Sequence, residues 1–184
     1  MKAIYLKTAG AIALTAGIAA CVSSPEPAPA PAPAPVAAPA PAPAPVQTIA
    51  TPEYANYLDA PQTAGTWFYE RRAGQTRAVF GQNVDAAKFL ITCDTGSRAI
   101  AMVRADSPAR ERLARVRTET ATRALSFMPM GSANVLIGAQ VPSNDPLLDA
   151  IAITKGRFAV ETAGKPTLYL PAWVEVTRVI EDCR

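Results

Sequence analysis

Lys88-Phe-Leu-Ile-Thr-Cys-Asp-Thr-Gly-Ser-Arg-Ala-Ile-Ala-Met-Val-Arg104 reads as two strands joined by a turn. Side chains on a strand alternate between faces, so Phe89, Ile91 and Cys93 share one side of the first run and Ile100 and Met102 one side of the second. Asp94-Thr-Gly-Ser97 supplies the turn chemistry between them. Upstream, Thr66 to Glu70 and Arg77 to Gly81 repeat the pattern, and Gly74, Gly81 and Gly96 punctuate it. Downstream, Ala114 to Thr120 and Thr122 to Met128 alternate again. Asn134 to Val141 is more continuously apolar, as suits a strand covered on both sides. The spacing predicts a mainly β domain, an antiparallel sandwich or barrel.

After Val141 the pattern changes. Asp145 is placed to cap a helix over 146–154, Pro146 suits its first turn, and Leu147, Leu148 and Ile151 share a face. Gly156 is a natural stop. Arg157 to Thr162 and Thr167 to Leu170 follow as strands around the turn Ala163-Gly-Lys-Pro166. Pro171 then opens a C-terminal helix through Asp182, in which Trp173, Val176 and Ile180 fall at helical spacing and Cys183 turns inward. Glu181 and Asp182 sit at the unfavourable end of that helix dipole, so the last turn needs another restraint.

The N-terminal third has a different character. Lys2 and Lys7 precede an uncharged run from Ala9 to Ala20 that is too short to span a bilayer, which reads as a secretory signal over 1–20. Ile18-Ala19-Ala20-Cys21 resembles the lipobox of bacterial lipoproteins, which implies that Cys21 is acylated, palmitate being one such chain, and anchors the protein to a membrane. Val22 stands where an Asp would resemble an inner-membrane retention signal, so the expected location is the outer membrane facing the periplasm, with the inner membrane as the alternative. From Pro25 to Pro45 the Pro/Ala alternation forbids helix and sheet and leaves a disordered polyproline spacer. At about 3.1 Å per residue it reaches roughly 65 Å. Residues 21–64 are thus expected to be lipidated Cys, linker and lead-in, and 65–184 one β-rich globular domain. Those remaining residues suffice for one core and not two.

Without Lys2 and Lys7 the chain keeps 16 basic against 15 acidic residues, a balance that gives nucleic acid no foothold. With Cys21 acylated, Cys93 and Cys183 are left as a pair in an oxidising compartment, and a disulfide is expected. The alternatives are two buried thiols or a reactive Cys93.

A tryptophan-led first strand, a strand ending in cysteine, Leu148-Asp-Ala150 before a Gly-Arg-Phe strand, and Leu168-Tyr-Leu-Pro171 stepping into a terminal helix together resemble the invasion-associated locus B family of bacterial envelope proteins. The ending Val179-Ile-Glu-Asp-Cys-Arg184 also resembles uncharacterised alphaproteobacterial lipoproteins. The likeness covers residues 65 to 184. It implies a β-sandwich with no established catalytic activity.

Function narrows mostly by exclusion. The chain has no histidine, which removes Ser-His-Asp and Cys-His nucleophilic sites, histidine zinc sites and the usual neutral-pH base. No Gly-rich phosphate loop follows a strand. Asp94-Thr95-Gly96-Ser97 resembles the aspartic protease loop, whose chemistry requires two carboxylates sharing a proton and therefore a dimer here. Plain turn chemistry explains the same residues. Arg104, Arg110, Arg112, Arg115, Arg117 and Arg123 form a basic cluster, in which Arg115 and Arg117 share one strand face and offer a landing strip for an acidic partner or anionic glycan. A solvated strand face looks the same. The expectation is a membrane-tethered, non-enzymatic domain without catalytic residues, metal or cofactor, binding a periplasmic protein or cell-wall glycan. The alternatives are a protein resembling the membrane-bound lysozyme inhibitors, and a dimeric aspartic protease using Asp94.

Overall fold

Period-two alternation and frequent turn signals produce nine strands and two short helices in a computed structural model that describes residues 47–184. The elements are β1 (Thr66–Arg72), β2 (Gln75–Gly81), β3 (Ala87–Asp94), β4 (Ala99–Ala105), β5 (Arg112–Arg117), β6 (Thr122–Met130), β7 (Leu136–Pro142), α1 (Pro146–Ala152), β8 (Arg157–Thr162), β9 (Lys165–Pro171) and α2 (Val174–Asp182). The signal sequence, Cys21 and most of the linker lie outside the described residues.

The strands form one antiparallel sheet in the order β1-β2-β3-β4-β7-β6-β5-β8-β9. Of the two expected forms, sandwich or barrel, the barrel is not formed, because the sheet does not close. The outer strands β1 and β9 do not pair with each other. The edge of β9 is taken instead by the lead-in, where the Thr63 N–H donates to Tyr169 O at 3.0 Å and the Tyr169 N–H to Thr63 Oγ1 at 2.8 Å. What makes two layers is β6: it pairs with β5 through Thr122–Phe127 and with β7 through Met128–Met130, so the sheet turns over along its length. Gly138 permits this turn, since a Cβ there would lie 2.5 Å from Met130 Sδ and 2.6 Å from Met102 O.

Two tryptophan and arginine contacts show how the layers cross. Trp67, Phe80, Phe89, Arg104 and Ile137 are register partners in one row across β1, β2, β3, β4 and β7. Arg104 Nη2 donates to Pro166 O at 2.7 Å, and Trp67 Nε1 donates to Pro171 O at 2.7 Å. β1 and β4 stand three strand spacings apart, roughly 14 Å, and β9 from Pro166 to Pro171 spans roughly 16 Å. Strand β9 therefore runs across the ends of β1 to β4 rather than along them, the orthogonal arrangement of sheet packing.

The space between the layers holds one core, with Phe80, Phe89, Ile91, Met102, Phe127, Ile137, Phe158 and Leu170 all fully buried. Helix α1 keeps its expected start: Asp145 accepts from the Leu147 N–H at 2.9 Å, with Pro146 in the first turn. Its Leu147, Leu148, Ala150 and Ile151 are buried. Helix α2 differs from the sequence reading at its start. Trp173 is the N-cap, with extended backbone, so helical spacing does not govern its direction and it remains 42% exposed. Val176, Val179 and Ile180 are the core-facing residues.

The domain also begins earlier than Gly65. Gln47 brackets the start of β5, its Nε2 donating to Glu111 O at 2.9 Å and its Oε1 accepting from the Leu113 N–H at 3.1 Å. From there the lead-in crosses the outer side of β5, β8 and β9.

Candidate functional site

Alternation on β5 turns Ala114 and Val116 into the core and sends Arg115 and Arg117 outward, as the sequence predicts. Strand β8 places Glu161 directly opposite Arg115. Arg115 Nε pairs with Glu161 Oε2, and Arg117 Nη1 reaches Glu161 Oε1 at 3.1 Å. The lead-in then lies over the group. Arg117 Nη2 donates to Ala55 O at 3.2 Å, and its guanidinium stacks 5.4 Å from the centre of the Tyr57 ring. Tyr54 packs edge-on against Tyr169 at 6.1 Å. The Glu161 side chain is 2% exposed, so two half-buried cations neutralise one buried carboxylate and leave one charge in excess. The predicted strip exists as a pair of side chains, but its first employment is to bind the chain's own Glu161.

Asp94 closes the β3–β4 hairpin. Its Oδ1 accepts from the Ser97 N–H at 2.7 Å and from the Ser97 hydroxyl at 2.9 Å, and its carbonyl accepts from the Arg98 N–H at 2.8 Å. Those bonds from Ser97, helped by the Gly96 N–H, hold the carboxyl below the usual range. The geometry is that of a turn whose side chain satisfies its own backbone.

A second group of charges gathers where the end of β4 meets the β8–β9 hairpin. The Asp106 side chain is fully buried; Arg112 Nε and Lys165 Nζ both pair with it, and Arg112 Nη2 lies 3.3 Å from Asp106 Oδ1. Burial alone would raise its pKa, but the hydrogen bonds and charges of Arg112 and Lys165 outweigh burial and hold it low. Arg112 also donates to Ala163 O at 3.0 Å across the hairpin. Gly164 (φ 70°) makes that turn, and a Cβ there would lie 3.1 Å from Arg112 Nη1.

Arg104 is the third cation of this corner. It continues the inward row of Ile100 and Met102, so its side chain enters the interior at 5% exposure. Nη1 donates to Thr162 Oγ1 at 3.2 Å and Nη2 to Pro166 O at 2.7 Å. Burial pulls its pKa down to about 10, with Asp106 opposing and Arg112 reinforcing the shift. Beside it, Lys88 Nζ donates to Ala64 O at 2.7 Å. Arg104, Lys88, Thr63, Ala87, Ala105, Pro166, Thr167 and Leu168 line an open cleft of about 380 Å³. Sequence reading placed Arg104 in the basic cluster and missed its inward face. The signal was present in the alternation of Ile100, Met102 and Arg104.

At the opposite end of β3, Cys93 and Cys183 stand at disulfide distance, their Cα atoms 5.6 Å apart. Tyr69 donates to Asp182 Oδ2 at 2.6 Å and Arg71 to Asp182 Oδ1 at 3.0 Å. The acidic last turn of α2 thus has both a cystine-range contact and polar partners on β1. Of the remaining cluster, Arg123 pairs with the capping Asp145 at 2.5 Å and Arg110 is exposed. Among the described residues no cluster of three or more His, Cys, Asp or Glu side chains is arranged to hold a metal, and no helix is long and apolar enough to cross a membrane. No protein-family model, curated protein or solved structure matches the chain.

Proposed function

We propose that the chain is a bacterial envelope lipoprotein, held through acylated Cys21 at the periplasmic face of the outer membrane, whose β domain binds an anionic group of a protein or cell-wall partner and carries out no catalysis. The lipobox-like Ile18-Ala19-Ala20-Cys21 and the Pro/Ala spacer support the tether. The observation that carries the binding role is the charge balance at the β4 and β8–β9 corner. Arg112 and Lys165 pair there with a single buried carboxylate, Asp106, while Arg104 and Lys88, bonded to neutral oxygens, line an open cleft beside it. Cation excess in a partly desolvated concavity concentrates field lines and attracts anions. Gln47, the first described residue after the spacer, hydrogen-bonds to the backbone of Glu111 and Leu113, either side of Arg112.

In-cell crosslinking of the full-length protein, with captured species identified by mass spectrometry, tests the reading. The expected outcome is a recurrent protein or glycan partner captured by the native chain and lost in a Cys21→Ser variant that leaves the membrane fraction. Nothing above the Cys21→Ser background would overturn it.

A further inference from the structure

We propose that the cleft between the end of β4 and the start of β9 is a binding site for a carboxylate carried on a small apolar group, with Arg104 and Lys88 as its cationic contacts. This deepens the anion-binding reading above and rests on it for the biological ligand.

The first observation is a buried guanidinium with donors to spare. Arginine carries five N–H donors, and the side chain of Arg104 uses two, both toward neutral acceptors, Thr162 Oγ1 and Pro166 O. Asp106, the nearby carboxylate, is occupied by Arg112 and Lys165, and Arg104 makes no ion pair among the described residues. A cation this far from water is stabilised by an opposite charge, and the protein does not supply one in contact. Since a clamp between layers needs only a neutral donor, the fixed positive charge is unexplained by the two bonds it makes.

The second observation is the wall chemistry. Ala87, Ala105, Pro166 and Leu168 give the cleft an apolar lining, and about 380 Å³ accommodates a compact group rather than an extended chain. Lys88 stands on the same wall, with only Ala64 O as its partner. A planar carboxylate matches the fork of a guanidinium, and the apolar walls match a methyl or short alkyl substituent. Asp106 acts on Arg104 through space, so a dianion meets repulsion that a monoanion meets less.

The test uses purified full-length protein titrated with N-acetylalanine, acetate and inorganic phosphate against chloride at constant ionic strength, read by thermal unfolding and amide chemical shifts. N-acetylalanine is expected to raise Tm saturably and to shift the amides of Ala87, Ala105 and Thr167, with acetate weaker and phosphate weaker still. Arg104→Lys and Lys88→Gln should each weaken N-acetylalanine about tenfold, the loss of one charged hydrogen bond. If Arg104→Lys does not fold, Lys88→Gln decides, because its ammonium holds only one backbone oxygen. Equal behaviour of all three ligands and chloride overturns the site, as does phosphate binding as tightly as N-acetylalanine, or unchanged affinity in Lys88→Gln. A crosslinked partner without carboxylate binding would sink this site alone. Carboxylate binding without a captured partner would sink the partner reading alone.

Discussion

The two ends of β3 look into two different interiors. At the Cys93 end the sheet meets α2 through aliphatic side chains and a cysteine pair, with Val176, Val179 and Ile180 fully buried beside Cys183. At the Lys88 end the neighbouring strand delivers Arg104 into a row otherwise made of Trp67, Phe80, Phe89 and Ile137. One end is closed by burial and a link between residues 90 apart in sequence. The other is closed by charges whose balance depends on what else is present. Apolar burial holds no titrating group and responds to anions only through general salt effects, whereas a cation excess responds to pH and to specific anions. With the binding proposed above, the difference assigns stability chiefly to the α2 end and ligand response to the Arg104 end.

The sharpest way to break that assignment is to remove the link. A disulfide closing a loop of this length contributes at most about 4 to 5 kcal/mol through the unfolded state. Cys183→Ser should lose close to that amount in denaturant unfolding, and the native protein should lose a similar amount on reduction. Denatured protein should titrate no Cys93 or Cys183 thiol until reductant is added. If Cys183→Ser costs less than the charge variant below, the division of labour between the two ends is wrong.

At the other end, Asp106→Asn leaves Arg112 and Lys165 facing each other without their shared carboxylate. Removing one member of a buried charge group costs about 3 kcal/mol. The pH dependence has a definite sign. The folded-state pKa of Asp106 is depressed, so its contribution is fully present above the unfolded value of about 3.9 and is lost as pH falls through the lower folded value. The native protein should therefore lose stability on acidification below about pH 4, and Asp106→Asn should flatten that limb. Equal acid limbs in both proteins would mean that Arg112 and Lys165 do not hold the carboxylate as described.

These effects bear on what the residues disclose before folding. Strand alternation was legible because it is a local rule: Phe89, Ile91 and Cys93 do face inward, and so do Ile100 and Met102. The Asp145 cap and the Cys93 and Cys183 proximity were legible for similar reasons, one from short-range capping chemistry and one from an even count of cysteines. What alternation does not contain is the identity of the layer opposite. The same rule that buries Met102 buries Arg104, and only the crossing of β9 shows that a guanidinium there finds Thr162 and Pro166. Likewise it sends Arg115 and Arg117 outward without saying that Glu161 and the stretch around Ala55 and Tyr57 wait for them. Residues 47–64 carry no periodic pattern because they form neither strand nor helix, yet they cover one face of the sheet. Barrel against open sheet was also undecidable locally, since it turns on whether Thr63 or β1 occupies the edge of β9.

The smallest expected effect compares the two carboxylates that flank this sheet. Asp94 and Asp106 are both held below the usual range, but by different means: Asp94 by Ser97 in an exposed turn, Asp106 by two cations in the interior. An exposed turn carboxylate loses little when its charge is removed, because water replaces what the protein supplied. Asp94→Asn keeps an oxygen able to accept from the Ser97 N–H, so the hairpin should persist with a shift in Tm near the limit of measurement. Raised salt should leave Asp94→Asn unaffected and should leave the cost of Asp106→Asn largely intact, because buried pairs are screened much less than exposed ones. A large loss in Asp94→Asn, or loss of an acid protease activity with it, would return Asp94 to the candidate chemistry and make the Cys93 end the functional one.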